Sequence, residues 1–118
     1  PPAIVDKIKE VVPAVEASFK RALKGNVNIA FGTDSGVSKH GTNAREFELM
    51  VNYGMDNEEA IKTATINAAA LLDMSSEIGT IEIGKIADII AVDGNPLSDI
   101  KILQDVQFVM KEGNIYKN

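Results

Sequence analysis

The chain has 118 residues, 45% hydrophobic and 25% charged, with a net charge of −5, which suits one ordinary soluble globular domain. An acidic balance without a basic block speaks against nucleic acid as a partner, and the lack of cysteine excludes disulfides and thiolate metal sites. No apolar run approaches the roughly 20 residues that span a bilayer, and the opening PPAIVDKIKE has no signal-peptide pattern, so no membrane partner and a cytoplasmic location are expected.

Ile4, Ile8, Val11, Val15, Phe19 and Ala22 recur at three- and four-residue spacing, which predicts a helical stripe. Pro13 lacks the amide that the helix needs and clashes with the preceding turn, so two helical pieces or one kinked helix are expected. Lys20, Arg21 and Lys24 suit the negative end of its dipole, and Gly25 is the expected cap. NVNIAF follows as a short strand. Its run Ile29-Ala30-Phe31 shows no alternation, as in a central parallel strand covered on both faces.

After a polar loop, Thr33 to Thr42, Asn43 and Glu46 have capping-box spacing ahead of the helix AREFELMVN. Phe47, Met50 and Val51 share one face of it, and Gly54 ends it. Asp56 and Glu59 repeat the spacing before NEEAIKTA, and Thr65 caps INAAALLDM. Asn67 and the run Ala68 to Ala70 read as packing residues. Beyond Ser76 the pattern changes to short β-type runs broken by Gly-Lys and Gly-Asn-Pro turns. VQFVMKEGNIYKN predicts a hairpin around Glu112-Gly113-Asn114. Met50, Met55, Met74 and Met110 are expected in the core, and Asp88 is expected to bond turn donors.

One strand cannot make a parallel sheet, so the elements look like parts of a larger α/β fold. Asp34 lies just past the end of the predicted strand, where the loops of α/β barrels gather catalytic groups. A carboxylate there can ligate a metal ion or accept a proton; it can equally make a local Asx turn with Ser35-Gly36.

NVNIAFGTDSGV, HGTNAREFELMVNYGM and AIKTATINAAALLDM resemble the last barrel strand and following helices of the amidohydrolase superfamily. IGTIEIGKIADIIAVDGNPLSDI resembles that family's return into its small β-sandwich domain. The similarity is greatest to the imidazolonepropionase-like branch, which includes Xaa-Pro dipeptidases, and weakest over the first twenty residues. The resemblance implies a C-terminal fragment of a (β/α)8 TIM-type barrel over residues 1–76, and C-terminal strands of the composite β-sandwich domain over 77–118. It implies a metal-dependent hydrolase of amide or peptide C–N bonds, acting on a small-molecule or dipeptide substrate with a divalent ion, zinc by preference. Asp34 matches the eighth-strand aspartate, which contacts the metal and shuttles a proton from water to the leaving amine. His40 matches a pocket-rim His-Gly and becomes a candidate substrate contact, the alternative being an ordinary surface histidine.

The His-x-His pair of the family is absent, His40 being the chain's single histidine. A catalytic zinc normally takes three protein ligands, so the 118 residues alone are expected to be inactive and to bind no metal by themselves. The missing N-terminal part of the barrel is the expected partner. A non-catalytic module that self-associates through the incomplete barrel surface is the competing expectation. Thr33 and Ser35 are candidates for orienting the carboxylate or, more simply, for backbone capping; Arg45 reads as a solvated helix residue.

Overall fold

The structure is a computed structural model that describes residues 2–36 and 39–118; the side chains of 2–6, 8 and 10 are not described. Within these limits the order is helix α1 (Pro2–Lys24), helices α2 (Arg45–Asn52), α3 (Asn57–Ala64) and α4 (Ile66–Leu71), strand β1 (Ile89–Val92), a 3-10 helix (Ile100–Gln104), and strands β2 (Val106–Lys111) and β3 (Asn114–Lys117). The described residues thus form a mixed α/β arrangement. None of their helices is long and apolar enough to cross a membrane.

Helix α1 runs unbroken through Pro13. The expected stripe is covered only towards its end. Phe19 and Leu23 pack on the core, whereas Val11 and Val15 are exposed, and the side chains of Ile4 and Ile8 lie outside the described residues. The left-handed position that ends α1 falls on Asn26 (φ 51°), one residue beyond the glycine expected to cap it. Val27 N–H reaches back to Ala22 O (3.1 Å) and Asn26 N–H to Leu23 O (3.1 Å), a Schellman closure with asparagine at the turning residue. The same pair of bonds ends α2 at Gly54 (φ 107°), as predicted, and α4 at Asp73 (φ 58°).

Neither predicted capping box forms. Helix α2 starts one residue later than expected, with Ala44 at its N-cap and no side-chain cap. Asp56 does occupy the N-cap of α3, but through its backbone: Ala60 N–H donates to Asp56 O at 2.9 Å. Glu59 turns instead to Lys62, which also pairs with Glu58 at 2.7 Å. Thr65 stands at the N-cap of α4 without capping it; its hydroxyl donates backward to Ile61 O at 2.9 Å.

Met50 and Met55 join Ala60, Ile100 and Leu103 in the buried cluster, with Phe47, Val51, Ile29 and Phe31 packed around it. Met74 and Met110 are only partly buried. The cluster therefore joins α2 and α3 to the 3-10 helix, and Glu48 adds polar ties to Gln104 (3.2 Å) and Lys101 (3.6 Å). The three strands form an antiparallel sheet in the order β1-β2-β3. The predicted β2–β3 hairpin turns through Glu112 (φ 50°) and Gly113 (φ 78°), the pair of positive angles that a two-residue type I′ turn requires. Asp88 holds that turn as anticipated, its Oδ1 accepting from Glu112 N–H at 2.7 Å.

The segment between α4 and β1 has no strand. Lys85, with 14% of its side chain exposed, gathers it by donating to Ser75 O (2.7 Å) and Thr80 Oγ1 (2.6 Å). Gly79 (φ 93°) lies against α4 so closely that a Cβ there would stand 2.7 Å from Ala69 Cβ and 3.0 Å from Thr65 O.

Two predictions follow from this packing. Gly79→Ala combines an unfavourable left-handed backbone with overpacking against a helix, and should lower stability by about 2–4 kcal/mol in urea unfolding. The Glu58–Lys62 pair has a defined pH window. Lys62 holds the Glu58 carboxyl below its ordinary 4.5, and the two glutamates raise the Lys62 ammonium above its ordinary 10.5. The glutamate contribution is full above pH 4.5 and fades as pH falls through the lowered value. The lysine contribution is full below pH 10.5 and fades as pH rises through the raised one. Both groups meet solvent, so Lys62→Met should change the thermal midpoint only slightly at pH 7, and the change should vanish in 0.5 M salt, a level of screening at which ~1 Debye length is under 5 Å.

Candidate functional site

The predicted strand NVNIAF does not form a strand: residues 27–35 have no strand partner among the described residues. A parallel strand is defined by its ladder, and β1, β2 and β3 pair only with one another. Ile29, Ala30 and Phe31 are accordingly half-buried rather than covered on both faces. What holds the segment is the junction of α3 and α4. The helix breaks at Thr65 (φ −122°, ψ −92°), and the Thr63 carbonyl accepts from Phe31 N–H at 2.9 Å. Two residues into α4, Asn67 Nδ2 donates to Ile29 O at 2.9 Å. Thr63 itself is buried, its hydroxyl donating to Ala60 O at 2.6 Å.

Ile29 and Phe31 face the helices, the Phe31 ring lying 4.6 Å from that of Phe47. Thr33 continues on that side, where its Oγ1 accepts from Asn43 Nδ2 at 3.2 Å. Neither candidate role of Thr33 is seen among the described residues, where it ties the segment to the start of α2. Thr33, Ser35, Thr42, Asn43, Arg45, Glu46 and Gln104 line an open polar groove of about 660 Å³ beside α2.

Asp34, between Thr33 and Ser35, does not line that groove and is exposed. Its backbone is left-handed (φ 46°), and its carbonyl accepts from Gly36 N–H at 2.9 Å. Aspartate tolerates this conformation better than most residues, and such positions occur where a chain must turn a functional group abruptly. His40 is exposed in a turn with Gly41 (φ 83°). No hydrogen bond or ion pair joins it to Asp34 among the described residues, and Val37 and Ser38 of the intervening loop lie outside them. Arg45 is exposed, as anticipated.

The profile of the amidohydrolase family matches residues 5–117. This chain belongs to the amidohydrolase family. A solved Xaa-Pro dipeptidase with methionine bound in its active site is 46% identical, with a TM-score of 0.92, over all of this chain and 29% of that one. A prolidase complexed with N-methylphosphonate-L-proline is 32% identical, with a TM-score of 0.88, over all of this chain and 30% of its own. Among curated relatives, ochratoxinase of Aspergillus niger is 35% identical over 116 residues, 94% of this chain. The chain spans about a quarter of the length of the curated relatives it matches, 24% for ochratoxinase.

Amidohydrolases are typically metal-dependent. Among the described residues no group of three or more His, Cys, Asp or Glu side chains is placed to hold an ion. Asp34 offers one carboxylate where a catalytic zinc normally takes three protein ligands, so these residues do not by themselves fit a complete centre.

Proposed function

We propose that this chain supplies the closing part of an amidohydrolase that cleaves amide or peptide C–N bonds, in the manner of an Xaa-Pro dipeptidase, with Asp34 at the reacting centre. In this reading residues 1–76 form the last helix–strand–helix portion of a (β/α)8 barrel, and residues 77–118 the C-terminal strands of a small β-sandwich domain. The observation that carries it is the placement of Asp34. It follows a segment without a strand partner among the described residues and does not line the groove beside Thr33 and Ser35. Asp34 would hold a divalent ion through one oxygen, with the other ligands supplied by the remainder of the barrel. Such an ion, when bound, lowers the pKa of water and polarises the scissile carbonyl. The carboxylate takes the proton of the attacking water and returns it to the leaving amine. His40, on the loop beyond, meets the substrate at the rim. The methionine held by the related dipeptidase supports a small amino-acid-like substrate.

A second reading, a non-catalytic module that self-associates, draws on exposed apolar side chains. Leu71 is 75% exposed and Ile81 83%. Both readings require these residues to be covered, by the remainder of the barrel in one and by a second copy in the other. Light scattering of the isolated chain separates them, a defined oligomer favouring the second.

The first reading is tested by grafting this chain into the Xaa-Pro dipeptidase in place of the matching 29%. The graft should hydrolyse dipeptides. Asp34→Asn should lower kcat by about 10²–10⁴, the range for loss of a general acid–base group, with the thermal midpoint retained. His40→Ala should act mainly on KM. Near-normal turnover of the Asp34→Asn graft removes Asp34 from the chemistry.

A further inference from the structure

We propose that Asn67 is a positioning residue for Asp34, a role that rests on the reading of Asp34 given above. Sequence reasoning assigns Asn67 to helix packing. The structure gives its carboxamide a more specific task. Its Nδ2 donates to Ile29 O at 2.9 Å, thirty-eight positions away in the chain, while Thr63 O receives Phe31 N–H at 2.9 Å. In extended backbone the carbonyl of one residue and the amide two residues later point to the same edge. The α3–α4 break therefore occupies one edge of the segment with a donor and an acceptor spaced as a neighbouring strand would space them. A continuous helix could not do this, because its own ladder would consume the Thr63 carbonyl. The interruption at Thr65 (ψ −92°) leaves that carbonyl free to accept from Phe31.

These two bonds fix register, and register decides where Asp34 points. Side chains alternate along the segment up to Thr33, and the left-handed Asp34 (φ 46°) turns out from the end of that row, so a slip of one residue relocates it. With Ile29 and Phe31 locked against the helices, Thr33 meets Asn43 and Asp34 is turned out of the groove. A slip would move Asp34 towards α2 and the acidic Glu46 and Glu48 that line the groove. Hydrophobic packing specifies this poorly, since Ile29, Ala30 and Phe31 are three apolar residues in succession. A directional hydrogen bond supplies what the pattern of side chains lacks. Asn67 touches neither substrate nor reacting atoms; it acts through the backbone five residues before Asp34.

The experiment uses the metal-loaded dipeptidase graft with Asn67→Asp, which keeps the shape but replaces the donor by an ionised acceptor, and Asn67→Ser, too short to reach Ile29 O. Two readouts are taken: kcat and KM for dipeptide hydrolysis, and hydrogen exchange of peptides covering residues 29–34. Both variants should lose on the order of 10²-fold in kcat, the cost of misplacing a reacting group by about 1 Å, with KM little changed. Exchange at Phe31 should rise by at least tenfold in both, without a matching rise in β1–β3. If Asn67→Asp fails to fold, Asn67→Ser alone decides. Lowered thermal stability with kcat within twofold of the parent, or unaltered exchange over 29–34, overturns the proposal and leaves Asn67 a packing residue. Asp34→Asn separates the two failures. Turnover retained there sinks the role of Asp34, whereas turnover lost there but retained in both Asn67 variants sinks the role of Asn67.

Discussion

One short segment, residues 27–34, is held in place by partners distant from it in the chain. That segment has no ladder of its own among the described residues. Its place is set by two hydrogen bonds from an interrupted helix and by two apolar side chains pressed on α2 and α3. Backbone polar groups that are taken from water need partners, and a carbonyl or amide left without one costs about 1–3 kcal/mol. The break at Thr65 answers that requirement from the helical side. It frees the Thr63 carbonyl for a backbone amide and brings Asn67 within reach of a backbone carbonyl.

Helix endings give the rest of the chain its sharp changes of direction. Asn26, Gly54 and Asp73 each take a left-handed conformation, and each ends its helix with the same pair of backward bonds. Only one of the three is glycine. Asparagine and aspartate pay a modest steric penalty there, which the recovered carbonyls offset. A similar device closes the β2–β3 hairpin, where the left-handed Glu112 offers its amide to the Asp88 carboxylate. Asp88 thus spends its charge on architecture.

Features governed by local chemistry were legible before the fold was known. The hairpin at Glu112-Gly113, the α2 face of Phe47, Met50 and Val51, the stop at Gly54 and the turn-binding role of Asp88 all depend on neighbours close in sequence or on residue types with few alternatives. Three readings failed because a side chain met a different neighbour, or none among the described residues, from the one its local pattern implies. Asn43 left its capping role for Thr33, Glu59 left its own for Lys62, and Val11 and Val15 found nothing to cover them. The expected strand at NVNIAF failed for a related reason: its apolar content is visible in sequence, but a strand exists only through the neighbours it bonds. Asn67 was legible as a residue of α4, yet nothing local signals that its carboxamide crosses to Ile29. The asparagine two residues past a helix break is the single clue, and it has meaning only once the break is known.

The burial of Ile100 and Leu103 beside Met50, Met55 and Ala60 has a consequence for how this polypeptide reaches its final state. The methionines covered by the 3-10 helix that carries Ile100 and Leu103 lie some forty to fifty positions earlier in the chain. Contacts of that separation form late and slowly, since a long loop must close before they contribute. During synthesis the face around Met50, Met55 and Ala60 therefore waits, partly uncovered, until the 3-10 helix has emerged. A polypeptide interrupted before residue 100 would present that face to whatever else is nearby.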